Sequence, residues 1–527
     1  MSRVDPAEPS RDSLSKMGSE QKSSAARPLT PPHATLSEVA QWLREVAGHS
    51  AHVLVQGAGD VEVTGLTLST GRVEPGDLFA ALPGLRTHGA TYAPEALAAG
   101  AVAVLTDPTG AVLLPPDTHA VVVEGPRRFL GALAARLHRQ PAASMRMLGV
   151  TGTQGKTTVT QLAEGALRRT GTVAAVVGTV GTRVAGVDVA TSLTTPEAPD
   201  LQALFARMRE LEVEACAIEV SSHALVLGRV DGVVFDVATF LNLGRDHLDF
   251  HEDVEEYYTA KASLFTAERA RRALVNVDDE HGRRLAGETE LEVTTFSARG
   301  ADADWRATDV VCGPDGSTFV LHGPDGLELA TSVPLPGDFN VANALAATAM
   351  CAMAGFDAAT VAGGIAGGPG VPGRLERVDA GQDFSVVVDY AHKPDAVEAT
   401  LRTLRPLTDG RLVVVLGAGG DRDRGKRPLM GEIAGRLADV FVVTDDNPRS
   451  EDPAAIRAAV LEGARDPHAE VLEIGDRREA IRTALRLARS GDIVLVAGKG
   501  HESGQEVDGV VTPFDDREVA REELALL

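Results

Sequence analysis

Residues 147–160, reading MLGVTGTQGKTTVT, constrain this chain more than any other stretch. An apolar lead-in of strand character runs into a glycine-rich turn, then Lys156, Thr157 and Thr158, then a helical pattern through Arg169. Small residues let several backbone N–H groups converge on an anion, and the following helix offers its positive N-terminal end. The pattern predicts a phosphate-binding loop in which Gly152, Thr153, Gln154 and Gly155 line the phosphates. Lys156 would reach the β- and γ-phosphates, and the Thr157 hydroxyl, beside Thr158, would ligate Mg2+. The Walker form G-x-x-x-x-G-K puts a glycine at position 150, where Val150 stands, so GTQGKTT is a shortened variant. A glycine-rich turn carrying a solvated lysine is the alternative, and the strand before and helix after it argue against that.

The rest of the 527-residue chain bounds what surrounds this loop. Its length exceeds one core and suggests about three domains. With 44% hydrophobic and 24% charged residues the composition is that of a globular protein. A net charge of -24 argues against nucleic acid or an anionic membrane surface as partner, since both need a basic footprint. Small anionic substrates need only a few placed cations. Cys216, Cys312 and Cys351 are scattered in apolar contexts, which suggests a reducing compartment without a disulfide framework or zinc site. No apolar run approaches membrane-spanning length and no signal-peptide core is visible, so a cytoplasmic protein is expected.

Residues 1–35, rich in Ser, Pro, Lys and Glu, read as a disordered tail. A helix over 36–47 opens a small N-terminal α/β domain of 36–144, ending at a stretch, 141–144, that reads as a linker. From 145 to 371 strand, loop and helix repeat. Residues 173–179, 214–222 and 235–243 are apolar enough for buried parallel strands. Their C-terminal ends carry Glu219, Ser221, Ser222 and His223, then Asn242, Asp246 and His247. In an open α/β sheet that edge is where ligands bind, although any one of these residues can equally be a helix cap. A third unit, 372–527, alternates strands at 385–391, 411–418, 440–446, 470–476 and 492–498 with helical segments, a second doubly wound sheet of Rossmann-like type. Its loop GAGGDRDRGKR places Arg422 where a dinucleotide fingerprint needs its third glycine, so an oxidoreductase reading fails. Two nucleotide-type domains with one phosphate loop suggest that NTP binds one while the other brings a second substrate by closing over it.

Three groups of the central domain can assemble a metal–phosphate centre: Thr157, the strand-end carboxylate of Glu219, and His247. Mg2+ prefers oxygen ligands, so His247 reads as well as a polar loop contact. Lys261 lies on a helical segment, YYTAKASLF, whose apolar face is Tyr257, Ala260, Leu264 and Phe265. A lysine beside such a face ordinarily carries its ammonium out to water. Thr194-Thr195-Pro196-Glu197 is a hydroxyl-bearing turn suited to a polar substrate. In the third domain, Asp446-Asn447-Pro448-Arg449 and Gly498-Lys-Gly-His-Glu502 follow strands, and Arg422 lies on the glycine-rich loop. Two arginines and a glutamate there suit a ligand with both carboxylate and amine, Arg449 being able to fork onto a carboxylate.

GTQGKTT, TTPEA, EVSSHAL, NLGRDHLDFH, YYTAKASLF, LPGDFNVANALAA, VPGRLE, VDYAHKPDA, GAGGDRDRGKRPLM, DDNPRSED and AGKGHE occur in the order found in Mur ligases, and from about residue 60 onward the chain resembles that family. The resemblance implies ATP-dependent amide formation, with the γ-carboxylate of a D-Glu activated as an acyl phosphate and then attacked by an incoming diamino acid. It implies phosphate and Mg2+ binding by Lys156 and Thr157, metal binding by Glu219 and His247, and a carbamylated Lys261. A carbamate, formed from carbon dioxide, turns that cation into an oxygen ligand. Thr194, Thr195, Ser221 and Arg229 match positions that bind a UDP-muramoyl dipeptide, and Asn340 and His392 match adenine-nucleotide contacts. Arg422, Asp446, Asn447, Pro448, Arg449, Gly498 and Glu502 match the pocket for the incoming amino acid. DNPR with arginine last resembles the diaminopimelate-adding type. The chain departs from the family at Gln154, where asparagine is common, and at Lys393 of DYAHK. It departs also at Ser69-Thr70-Gly71, which replaces Asp-Ser-Arg and leaves Thr70 as the residue aligned with the uridine-side motif. A monomer acting on small molecules is the expectation. A folylpolyglutamate synthase-like ligase and a catalytically silent binding subunit are the competing readings. DNPR with EVSSHAL argues against the first, and intact Lys156, Glu219, His247 and Lys261 against the second.

Overall fold

The computed structural model describes residues 26–48, 52–84, 86–244, 250–465 and 467–527. The chain forms two compact units, residues 1–295 with 350–356, and residues 296–349 with 357–527. The first holds both the N-terminal sheet and the nucleotide-type parallel sheet.

In the first unit the helix Leu36–Ala47 forms as its sequence predicts. Thr35 Oγ1 accepts from Glu38 N (3.2 Å), Thr35 N donates back to the Glu38 carboxylate (2.7 Å), and Leu36, Val39, Ala40 and Leu43 make a buried stripe. A five-stranded sheet follows, ordered Leu54–Gln56, Ala120–Val122, Ala103–Thr106, Asp77–Ala80, Gly65–Thr67. Its strands are parallel except for the first. The expected disordered tail of 1–35 is corrected over its last ten residues. Arg27 forks onto Asp77 with two 2.8 Å bonds, Leu29 N and Thr30 N donate to Glu210 (2.8 Å each), and Ala34–Thr35 pairs with Glu62–Val63. Residues 1–25 of that expectation lie outside the described residues. The 141–144 stretch is likewise no free linker, being a 3-10 turn with Pro141 and Ala142 buried.

The second sheet of this unit is built around Arg146–Thr151, flanked in parallel by Ala215–Glu219 and Val237–Phe240, with Ala174–Gly178 and Arg272–Asn276 outside them. An antiparallel hairpin, Gly181–Val184 with Val187–Val189, covers one edge. The central strands are buried along their length because helices such as Lys156–Arg169 and Ala198–Glu210 pack on them. The loops leaving the C-terminal ends of adjacent strands therefore share one edge.

In the second unit Trp305–Gly313, Gly316–His322 and Glu328–Val333 form an antiparallel meander, which the strand–helix alternation expected up to residue 371 does not anticipate. The six-stranded sheet runs Glu376–Arg377, Ser385–Asp389, Ile493–Ala497, Leu412–Leu416, Val440–Val443, Glu470–Glu473, parallel except at the first strand. Helices Pro394–Leu404, Lys426–Leu437, Pro453–Gly463 and Arg477–Leu487 match the helical segments that the sequence places around 396–404, 427–438, 453–464 and 478–489. All three cysteines are free thiols, and burial pushes Cys216 and Cys351 up to about 12. Among the described residues no helix is long and apolar enough to cross a membrane.

Candidate active site

The phosphate loop is shaped by its backbone. Gly152 has φ +154° and Gly155 φ +89°, the latter capping Lys156–Arg169 in the left-handed region. A Cβ at Gly152 would stand 2.9 Å from the Leu241 Cβ. Val150, at the Walker glycine position, is buried in the strand Arg146–Thr151, so the turn begins only after it. Asn242 holds the loop from the neighbouring strand end. Its Oδ1 accepts from Thr153 N (3.2 Å) and Gln154 N (2.9 Å), and its Nδ2 donates to Gln154 O (3.2 Å). The Gln154 side chain takes no part in these contacts, which explains why this departure from the family pattern is tolerated.

Two lysines converge on one carbonyl. Lys156 Nζ donates to Gly152 O (2.7 Å) and Thr153 O (3.1 Å), and Lys261 Nζ donates to the same Gly152 O (2.9 Å). Lys261 is only 1% exposed, so its ammonium does not reach water as that of a lysine beside an apolar face ordinarily does. The helix Val254–Ala262 buries Tyr257, Tyr258 and Lys261, whereas Ala260 of the expected face is only half-buried. The Lys261 ammonium sits 4.4 Å from the centre of the Tyr257 ring, whose hydroxyl lies 3.2 Å from Thr153 Oγ1.

Glu219 ends its strand almost fully buried. Oε1 accepts from Thr179 N (2.7 Å) and Oε2 from Thr179 Oγ1 (3.2 Å). The hydroxyl turn lies beside it. Thr179 Oγ1 is 3.0 Å from Thr194 Oγ1, Thr195 Oγ1 donates to Glu219 O (2.7 Å), and Ser221 N donates to Thr195 Oγ1 (3.3 Å). Arg229 is a brace for this turn, its Nε donating to Glu197 (2.9 Å) and its NH1 to Thr195 O (3.3 Å). Thr70 lies in the 3-10 turn Thr70–Arg72, whose Arg72 pairs with Asp200 at 3.0 Å.

Mg2+ suits this centre chemically. Two ammonium groups on one carbonyl oxygen repel, and converting Lys261 to a carbamate removes one cation and adds oxygen donors to the Thr157 hydroxyl and Glu219 carboxylate. Among the described residues no set of three His, Cys, Asp or Glu side chains is placed to hold a metal. Asp246 and His247 lie outside the described residues.

In the second unit, a dense polar network gathers the residues expected for an amino acid. Asn447 Nδ2 donates to Glu502 Oε2 (2.9 Å), and its Oδ1 accepts from Lys499 Nζ (3.0 Å) and Glu506 N (3.0 Å). Lys499, wholly buried, also donates to Gly504 O (2.6 Å) and lies 3.4 Å from Glu502. Arg449 has φ +53°, donates from NH1 to Gly420 O (2.7 Å) and pairs through Nε with Glu506 at 3.3 Å. Pro448 shapes the same turn, its carbonyl accepting from Glu451 N (3.1 Å). Gly498 adopts φ +115°, and a Cβ there would meet Asp446 Oδ2 at 2.5 Å. Arg427 forks onto Glu451 (2.8 and 3.1 Å), holding that carboxyl down at about 2. Arg422 stays outside this network, exposed, with NH1 on Asp421 O (3.2 Å).

Asn340 and His392 both belong to the second unit. Asn340 donates to Pro336 O (2.8 Å) and accepts from Asn343 Nδ2 (3.1 Å), bracing the start of the helix Asp338–Met353. His392 Nδ1 lies 2.7 Å from Tyr390 O, and Lys426 Nζ donates to His392 O (3.0 Å). Burial, with Lys426 and Lys393 nearby, pushes the imidazole down to about 4.

Family models described as Mur ligase family, catalytic domain; Mur ligase middle domain; and Mur ligase, glutamate ligase domain match residues 62–138, 150–351 and 373–500. The chain belongs to the Mur ligase family. A Streptomyces avermitilis protein named UDP-N-acetylmuramoyl-L-alanyl-D-glutamate--2,6-diaminopimelate ligase is 52% identical over 501 residues, 94% of this chain and 98% of that protein. A Streptomyces coelicolor protein of the same name is 54% identical over 470 residues, 88% of this chain and 93% of its own. The solved structure of a ligase so named superposes with a TM-score of 0.65 at 33% identity, covering 94% of this chain and 99% of the other.

This Mur ligase brings together Lys156, Lys261 and the loop glycines on one side, and Glu219, Thr194, Thr195 and Ser221 on the other, all in its first unit. Asp446, Asn447, Arg449, Gly498 and Glu502 gather in the second. The sequence reading missed Asn242 and Tyr257 as supports of the loop and Lys499 as the centre of the second network. The signal for Lys499 was its place in the AGKGHE motif after a buried strand. Asn242 and Tyr257 open the NLGRDHLDFH and YYTAKASLF motifs, and Asn242 stood among the strand-end polar residues, but neither position pointed to a hold on the loop.

Proposed function

We propose that this Mur ligase adds meso-diaminopimelate to the D-Glu of UDP-N-acetylmuramoyl-L-alanyl-D-glutamate with consumption of ATP, a step in peptidoglycan precursor synthesis. The observation that carries the reading is 52% identity along 98% of a relative named for that reaction. A carboxylate is a poor electrophile until one oxygen becomes a leaving group. In the proposed sequence the D-Glu γ-carboxylate attacks the ATP γ-phosphorus and ADP leaves. The diaminopimelate amine then attacks the acyl carbon, loses a proton, and phosphate departs. Catalysis is chiefly positioning and charge neutralisation.

The loop 152–155, Lys156 and Thr158 hold the phosphates. Thr157, Glu219, carbamylated Lys261 and His247 would hold Mg2+, which would neutralise phosphate-oxygen charge. Thr70, Thr194, Thr195 and Ser221 seat the muramoyl dipeptide, with Arg229 fixing the turn. Asn340 and His392 serve the adenine nucleotide. Arg422, Asp446, Asn447, Pro448, Arg449, Gly498 and Glu502 receive diaminopimelate, its distal carboxylate meeting Arg449. The domains are 36–144 for UDP, 145–371 for ATP and 372–527 for the amino acid. The enzyme acts in the cytoplasm as a monomer, with carbon dioxide needed to carbamylate Lys261.

Phosphate release with UDP-muramoyl dipeptide and ATP, comparing meso-diaminopimelate, the LL isomer and L-lysine, tests the reading. Release with the meso isomer well above the other two is expected. Release with lysine alone would replace the amine, and none with any of the three would overturn the assignment.

A further inference from the structure

Thr179 joins the hydroxyl turn to the Glu219 carboxylate, and nothing above gives it a task. It follows directly on Ala174–Gly178. Its N–H and Oγ1 donate to the two different oxygens of Glu219, at 2.7 and 3.2 Å, so one residue fixes the carboxylate plane. Gly178 allows this approach, since a Cβ there would stand 2.2 Å from Glu219 Oε1. The same Thr179 Oγ1 lies 3.0 Å from Thr194 Oγ1.

A hydroxyl has one proton and a carboxylate has none to give. Thr179 donates its proton to Glu219, so the proton between the two threonines comes from Thr194. Thr194 Oγ1 then presents only lone pairs to anything else. Thr195 spends its proton on Glu219 O (2.7 Å), and its Oγ1 also lies 3.5 Å from Ser221 Oγ. The direction of the whole chain is set by the charge at Glu219.

We propose that Thr179 is a positioning residue that orients Glu219 for the metal and, through Thr194, sets the turn to accept a hydrogen bond from an N–H or O–H of the muramoyl dipeptide. The inference rests on the ligase reading above and names how its two sites are linked. A donor seated on Thr194 strengthens the polarised chain, because each hydrogen bond makes the next hydroxyl a better donor.

Thr179→Val keeps the volume and the backbone N–H bond but removes the hydroxyl, and Thr179→Ser restores it. Two affinities decide, both read without turnover: UDP-muramoyl dipeptide by calorimetry in the absence of nucleotide, and Mn2+ by electron paramagnetic resonance with ADP present. Thr179→Val is expected to weaken each about tenfold, within the worth of a hydrogen bond to a charged group. Its KM for diaminopimelate should stay within twofold, and Thr179→Ser should recover both affinities. Unchanged affinities in Thr179→Val, or an equal rise in the KM for diaminopimelate, overturn the proposal. Thr194→Val, which leaves Thr179 and Glu219 in place, should weaken the dipeptide, and wild-type affinity there removes the acceptor role. A wild-type protein that binds no muramoyl dipeptide overturns the ligase reading instead, and the Mn2+ measurement then decides the hold of Thr179 on Glu219 by itself.

Discussion

In the first unit the loop 152–155 takes its shape from two glycines at positive φ and from backbone groups held by Asn242, so few side chains are needed to define it. In the second unit the Asn447–Lys499–Glu502 cluster takes its shape from side chains on separate loops, meeting at a buried ammonium. A site made of backbone tolerates changes such as Gln154, because its hydrogen-bonding groups do not depend on residue type. A site made of interlocked side chains does not, since removing one member leaves the others buried without partners.

The largest effect that sharpens this contrast is expected at Lys261, where a single side chain matters within the backbone-built site. Lys261→Ala should lower kcat by about 10²–10³-fold, the scale for removing a preorganised charge-stabilising group, and formate or acetate should restore part of the rate. Full activity without added carboxylate would sink the carbamate role. Arg449→Ala comes next, with the KM for diaminopimelate rising roughly ten- to a hundredfold, the worth of a charged hydrogen bond. The KM for ATP should move less than twofold, and steady-state kinetics with each substrate varied in turn measures both. Equal rises would place Arg449 outside the amino-acid pocket.

A smaller effect, on stability, separates the two construction modes directly. Lys499→Met should destabilise the second unit by about 1–3 kcal/mol, because Asn447 and Glu502 lose a buried partner. Asn242→Ala, which loosens an already backbone-defined loop, should cost about 0.5–1.5 kcal/mol. Urea titration of both variants measures the difference, and the reverse order would break the comparison. The smallest effect concerns acid. Burial holds His392 in the second unit and His138 in the first down at about 4, from an ordinary 6.5. The unfolded chain therefore binds these protons first. The stability they confer is fully present above pH 6.5 and is lost as pH falls from 6.5 toward 4. Replacing either by Gln should flatten the urea-midpoint slope in that window, and an unchanged slope would remove the histidine as its cause.

Sequence by itself determined the phosphate loop, the buried parallel strands that carry Glu219 and Asp446, and the helix Leu36–Ala47 with its capping residues. These features rest on local rules: glycine at positive φ, apolar runs of strand length, a threonine three residues before a glutamate. Motif order was enough to point to the family. Tertiary structure alone decided where the Lys261 ammonium lies, buried on Gly152 O, because helical spacing cannot tell a lysine at the edge of an apolar face from one driven into a strand-end loop. It decided that Arg229 braces a turn, that Lys499 centres a network, and that residues 26–35 are tied to Asp77 and Glu210. It also decided the antiparallel strands between 305 and 333. Apart from that meander, whose strands pair with their neighbours in sequence, each depends on partners distant in sequence, where pairing is set by packing and charge rather than by the residues alongside. The GTQGKTT loop was legible because its shape rests on glycines and backbone groups of one short segment between a strand and a helix. The Thr194–Thr179–Glu219 chain was not, because its members come from three separate segments and meet only at the edge of the folded sheet.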